Sequence, residues 1–323
     1  MRYILRRLAF YLVTLWLAMT LNFAVPRLMP GDPASVLFAH FQGRATPAQY
    51  LALKAALGFT DQNIVGQYFT YLWNVVHLNF GISYSHYPVP VIDVIRNELP
   101  WTLFLLGTAT VISFCLGTIL GIISAWRRGS LFDSTIPPFT LFMSAFPYFW
   151  IAMLLIYFVA FKLGIFPTSG LYTTLSLTPA VVGTILYHSI LPAITIVLAS
   201  IGGWIIGMRN VMISTIAEDY ITMAQAKGLS DKRVMLKYAA RNAILPSITG
   251  FAMSLGFVVG GAILVEYVFS YPGVGYELYT AASSEDYPML QALLLFIVTA
   301  VLLANFIADI IYVRLDPRVR TER

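Results

Sequence analysis

Six apolar runs divide this chain, roughly Leu8–Val25, Trp101–Trp126, Ile136–Leu163, Ile190–Met208, Ile248–Phe269 and Met289–Val313. Each approaches or exceeds the ~20 mostly apolar residues that a helix needs to cross about 30 Å of hydrocarbon. Nothing else in the sequence restricts the fold as much. In hydrocarbon every backbone N–H and C=O must be satisfied inside the protein, and a single run of this length does that as a helix. The expected fold is therefore all-α, a polytopic membrane protein with about six transmembrane helices and a small external subdomain after the first. The chain is 59% hydrophobic and 11% charged, so too little polar surface remains to cover a water-soluble core. A further apolar stretch, Leu171–Tyr187, contains Pro179 and abuts the fourth run without a polar loop. It reads as an interfacial or re-entrant piece.

The runs divide the chain into residues 1–25 (N-terminus and first helix), 26–100 (external subdomain), 101–313 (a five-helix core) and 314–323 (tail). The segment 26–100 is too long for a simple connection and carries the punctuators "PGDP" and "YPVPV". Short helices are expected near Pro47–Leu57 and Asn63–Leu78. In the second, Tyr68, Tyr71, Leu72 and Val75 share one face. Arg2, Arg6 and Arg7 before the first run resemble the start of a secretory signal, but the exit "VPRLMPGDPA" has no clean small-residue cleavage site, so the run reads as a retained span. Six spans put fifteen of the twenty Lys and Arg on one side, shared among the N-terminus, Arg127–Arg128, the 209–247 loop and the tail. Positive charge stays cytoplasmic, which places both termini there. Pro147 and Pro192 fall within runs and are expected to kink their helices.

One passage departs from this apolar character. Residues 217–246, "AEDYITMAQAKGLSDKRVMLKYAARNAILP", hold eight charges. Tyr220, Met223, Ala224 and Lys227 are spaced as one face of a short helix, and Gly228 suits the left-handed residue that ends it. Ser230 or Asp231 can cap a second helix with Val234, Met235, Tyr238 and Ala239 as its less polar stripe, and Pro246 fits the first turn of the next span. The passage is thus a helix–glycine–helix elbow, suited to insertion in a groove on another protein or, as the plainer alternative, to lying as a charged loop on lipid headgroups.

No chemistry of the chain's own is legible. The phosphate-binding loop, the His-Glu-x-x-His pattern and Gly-x-Ser-x-Gly are all absent, and His40, His77, His86 and His188 are scattered. A polytopic membrane enzyme would lack a nucleophile, a metal site and an acid pair. Ionisable residues near the spans are suspects in their own right. Arg209 is expected to reach along its helix to the interface, Asp309 to pair with Arg314, and Lys162 to mark the end of the third run. Glu266, before "YVFSYPGVG", is placed to orient an outer gate with Tyr271, Pro272 and Gly273.

"AQAKGLSDKRVMLKYAARNAILP" resembles the cytoplasmic signature of permease subunits of ATP-binding cassette importers, in the long form of the dipeptide, oligopeptide and nickel branch. Ala224, Ala226, Lys227, Gly228, Leu229, Arg241, Asn242, Ala243 and Pro246 stand in its positions, while Gln225 and Tyr238 depart from it. "MPGDPA", "EYVFSYPGVG" and "LDPRVR" resemble the same branch, which extends the likeness from end to end. The resemblance implies that the elbow couples to an ATPase through Ala224, Ala226, Lys227, Gly228, Leu229, Arg241 and Asn242. It implies a prokaryotic inner-membrane location and four kinds of partner: a second homologous permease, two ATP-binding subunits, an external solute-binding protein and the bilayer, with no nucleic acid. ATP and magnesium would be held by those ATPase chains, with no cofactor in this one. Peptides are the default cargo, with oligosaccharides and nickel chelates as alternatives.

Overall fold

A computed structural model describes residues 2–28, 63–170, 178–258 and 262–315. These residues form helices joined by turns, and a lone bridge between Ile82 and Pro90 is the one trace of β-structure among them. In chain order the helices are α1 (Arg2–Leu28), α2 (Ile64–Val76), α3 (Val91–Trp126), α4 (Leu131–Ser144), α5 (Tyr148–Leu155), α6 (Pro179–Ile216), α7 (Asp219–Ala226), α8 (Asp231–Arg233), α9 (Arg241–Phe257), α10 (Ile263–Val268), α11 (Val274–Ser283) and α12 (Tyr287–Leu315). Wider π-helical turns extend α5 over Ile156–Lys162 and join α8 to α9 over Val234–Ala240.

Among the described residues, four helices are long and apolar enough to cross a membrane: α1, α3, α6 and α12. A fifth crossing exists if α4 and α5, bent by 100° at the intervening break, count as one span. The third apolar run is therefore not a straight helix. Pro147 does not kink it from within but stands at the N-cap of α5 in extended conformation. The fifth run is likewise divided between α9 and α10. Of the stretch 171–187, residues 171–177 lie outside the described residues, and the remainder differs from the expectation of a separate piece. Pro179 opens the 38-residue α6, where its fixed φ and missing N–H suit a first turn, and the helix continues through Pro192. Pro246 lies inside α9 rather than in its first turn, because the π-helical turns have already started the helix upstream. The expected helix at 47–57 lies outside the described residues, and that at 63–78 is α2.

The core is built on α3 and α6. Gly117 and Gly121, one turn apart on α3, let the two backbones touch: a Cβ on Gly121 would lie 2.7 Å from the Ile205 carbonyl oxygen and 2.9 Å from Met208 Cβ. Small residues at this spacing allow the close packing on which membrane helices rely, since apolar burial gives little driving force between helices already in lipid. Ser113 and Ser200 hydroxyls meet across the same seam at 2.8 Å. At one end of the bundle Val91, Val94 and Ile95 of α3 pack with Val274, Leu278 and Met289, and at the other Ala125, Met208 and Met212 pack with Ile221, Ala224 and Val234. We call these the loop end and the elbow end.

α1 packs chiefly on α12. Asn22 and Gln291 each donate a side-chain amide N–H to the other's backbone carbonyl, at 2.9 and 2.7 Å. Asp309 accepts from the Tyr11 hydroxyl at 2.7 Å and lies 3.4 Å from Arg7 Nε. Its described partners are thus on α1, where Arg314 had been expected. The side chain of Arg314 lies outside the described residues. α2 rests on the end of α1, with Tyr68 hydrogen-bonded to Thr20 and Tyr71 to Asn22.

Candidate functional site

At the elbow end α6 stops at Ile216, and Glu218 in extended conformation starts α7. α7 closes on Gly228, whose φ of +71° is the left-handed conformation expected of it, and whose N–H donates to the Gln225 carbonyl at 2.9 Å. Ser230 then occupies the N-cap position of α8, its carbonyl accepting from the backbone N–H groups of Arg233 and Val234. Ile221 and Ala224 on α7 and Val234, Ala239 and Ala243 beyond it are buried on one another and on the ends of α3 and α6. Asn242 donates to the Tyr220 hydroxyl at 2.9 Å, which ties the second arm to the first.

This packing sorts the expected coupling residues. Ala226, Lys227, Gly228, Arg241 and Asn242 are exposed, Leu229 is half-buried, and Ala224 is buried. Ala224 therefore secures the elbow to its own bundle and offers no surface to a partner. It had been grouped with Tyr220, Met223 and Lys227, but the three are exposed and Ala224 shares the opposite, inward face with Ile221. Met223, 61% exposed, points outward.

Just above the elbow, Arg209 does not reach along the helix to solvent. It donates two hydrogen bonds to Asp133, Nε to Oδ1 at 2.6 Å and Nη2 to Oδ2 at 2.9 Å. Asp133 also accepts from the Ser124 hydroxyl and the Gly129 N–H, so one carboxylate joins the α3–α4 turn to α6. The sequence distance of 76 residues hid this pair.

At the loop end Glu266 is fully buried with both oxygens occupied. Oε1 accepts from the Thr102 hydroxyl at 2.9 Å, and Oε2 from the N–H groups of Gly275 and Tyr276 at 2.7 and 3.2 Å. The carboxylate thus sits on the first turn of α11, where free N–H groups favour an anion. Thr102 completes the knot by accepting from the Val274 N–H at 2.8 Å. Gly273 is required by this approach: a Cβ there would lie 2.5 Å from Glu266 Oε2 and 2.6 Å from Thr102 Oγ1. Tyr271 is buried edge-on against Trp101, its hydroxyl 3.2 Å from that of Ser189. Burial pushes the phenol up to about 12, so it remains a protonated hydroxyl. Glu266, Tyr271, Pro272 and Gly273 therefore come together, and all four are buried. Thr102 and Ser189 belong with them and were missed, because they come from distant segments and carry no pattern of their own, while Gly275, the last residue of "EYVFSYPGVG", joins through its backbone N–H.

A second carboxylate secures the neighbouring turn. Asp286 accepts at Oδ2 from the hydroxyls of Ser83 and Ser85 and the N–H groups of Tyr84 and Ser85, and at Oδ1 from the Met289 N–H. Among the described residues no three His, Cys, Asp or Glu side chains are grouped to hold a metal ion.

The family profile described as "binding-protein-dependent transport system inner membrane component" matches residues 117–321. The chain is 34% identical over 318 residues to the oligopeptide transport system permease protein AppB of Bacillus subtilis, covering 98% of each. It is 35% identical to the di/tripeptide transport system permease protein DppB of Pseudomonas aeruginosa, covering 99% of each. It is 31% identical to the dipeptide transport system permease protein DppB of Escherichia coli over the full length of both. An elbow carried between membrane helices, matched with permease proteins from end to end, leaves one assignment: the chain belongs to the binding-protein-dependent inner membrane components, the permease subunits that work within ATP-binding cassette importer complexes.

Proposed function

We propose that the chain forms one half of the membrane pathway of an ATP-driven importer of di- or oligopeptides. The observation that carries this reading is the end-to-end match to permeases from three bacteria, each named for peptide transport. A second homologous permease completes the pathway, two ATP-binding subunits carry ATP and magnesium, and an external binding protein delivers the peptide. The elbow and both termini face the cytoplasm, as the placement of fifteen of the twenty basic residues favours.

In this scheme the elbow's exposed residues, Met223, Ala226, Lys227, Gly228, Arg241 and Asn242, meet the ATPase. Movement of that subunit on ATP binding is passed to α6 and α9, which enter the elbow from either side. The Glu266 knot with Tyr271, Pro272 and Gly273 holds the outer gate in one arrangement. Alternation follows when ATP-driven closure favours a second arrangement by more than the knot resists. The subdomain of residues 26–100 receives the binding protein.

The test is reconstitution of the complete transporter in vesicles with its binding protein. Peptide-loaded binding protein is expected to raise ATP hydrolysis and drive uptake of labelled peptide. Stimulation by an oligosaccharide or a nickel chelate and not by peptides would replace the cargo assignment.

A further inference from the structure

α2, with the sequence IVGQYFTYLWNVV, carries no charged residue and has three differently furnished sides. Tyr68, Tyr71, Leu72 and Val75 are half-buried on the side that meets the end of α1, through the Thr20 and Asn22 hydrogen bonds and ring contacts with Phe23. Val65, Phe69, Trp73 and Val76 recur at spacings of four, four and three, which stacks them as one stripe. They are 55, 64, 66 and 74% exposed. Gly66, Gln67, Thr70 and Asn74 form the remaining polar side, with Thr70 exposed and the other three half-buried.

The position of α2 identifies what covers the stripe. Its contacts on α1 are at Thr20, Asn22 and Phe23, the last turn or so of the membrane-crossing window Leu5–Ala24. α2 therefore lies at the depth where the apolar span gives way to polar headgroups. The exposed side of α1 is apolar up to that point, with Trp16, Leu17 and Leu21 uncovered, and the α2 stripe is apolar and exposed in the same way. Aromatic residues are favoured at this depth, where a ring can sit at headgroup level.

We propose that α2 is an interfacial anchor, with its Val65–Phe69–Trp73–Val76 stripe sunk in the boundary between lipid headgroups and acyl chains and its Gly66–Thr70–Asn74 side turned to water. An amphipathic helix in this situation lies in the plane of the interface with its apolar side roughly 5–10 Å into the bilayer. The anchor fixes the height of the turn between α2 and α3 above the membrane. It also leaves the polar side of α2, and not its apolar stripe, free for a water-borne partner.

Spin labels at Phe69→Cys, Trp73→Cys and Thr70→Cys, each in a Cys115→Ala background, test this in the whole transporter. The complex is reconstituted in vesicles of phosphatidylethanolamine and phosphatidylglycerol. Collision with molecular oxygen, which concentrates in lipid, is compared with collision with a water-soluble nickel chelate. Labels at 69 and 73 are expected to favour oxygen several-fold more than the label at 70, and to be unchanged by loaded binding protein. Equal access of the nickel chelate at all three positions would put the stripe in water and overturn the proposal. Protection from both reagents would assign the stripe to another subunit, or, if it arises only on adding binding protein, to that protein, and either result overturns it as well. If Trp73→Cys does not assemble, labels at Val65→Cys and Val76→Cys read the same stripe.

Discussion

Gly228 holds the elbow's corner at φ +71°, and nothing lies within 4 Å of where a Cβ would be. A Cβ there meets no clash within this chain, so the penalty inside the subunit is chiefly that of the left-handed backbone, roughly 1–2 kcal/mol for an ordinary L-residue. Gly228→Val is expected to loosen the elbow by about that amount and to lower solute-stimulated ATP hydrolysis. Gly228→Asn, which tolerates this conformation better, is expected to stay near the parent. Amide hydrogen exchange across 217–246 in the assembled transporter checks the first effect, and the ATPase assay the second. Equal behaviour of Val, Asn and Gly would remove the corner from the mechanism. This glycine was legible because a helix ending in a chain reversal demands a particular backbone. Ala224 was not, since an eight-residue helix makes too few turns for spacing to distinguish its inward from its outward side. The partners of Glu266 and Asp286 were beyond reach for another reason. They lie up to 203 residues away and donate hydroxyl and backbone N–H groups, which have no sequence signature.

Helices were legible where apolar length alone defines them, as for α1, α3, α6 and α12. Hydropathy failed where the chain turns without becoming polar. The "SAFP" corner between α4 and α5 bends by 100° within residues as apolar as their neighbours. The extension of α6 back to Pro179 was missed because a proline that opens a helix looks the same in sequence as one that breaks it. Contacts between helices are set by pairs such as Asp133 and Arg209, whose side chains are 6% and 23% accessible. Removing one member leaves the other's charge poorly solvated, so Arg209→Met is expected to destabilise the α4–α6 junction by roughly 3 kcal/mol. The double variant Arg209→Met with Asp133→Asn should recover part of that loss, because no bare charge remains. Thermal unfolding of the purified complex in detergent checks the order. A double variant less stable than the single would mean that the pair does not act as a unit.

Over the whole molecule, the apolar runs carried the all-helical membrane character, while the end-to-end motifs carried the family. Sidedness is tested with Ser283→Cys at the loop end and Lys232→Cys at the elbow end, both exposed, in a Cys115→Ala background. An impermeant maleimide added to intact cells is expected to modify the first and spare the second, and the reverse would invert the transporter. The clasp between α1 and α12 concerns how the molecule is made. Asn22 is held by Gln291, and Tyr11 by Asp309, across separations of 269 and 298 residues. A helix synthesised early thus waits in the bilayer without its main neighbour until almost all of the polypeptide has followed it. A translation product cut short before Gln291 therefore carries α1 without this clasp, so the first helix made is among the last to be secured.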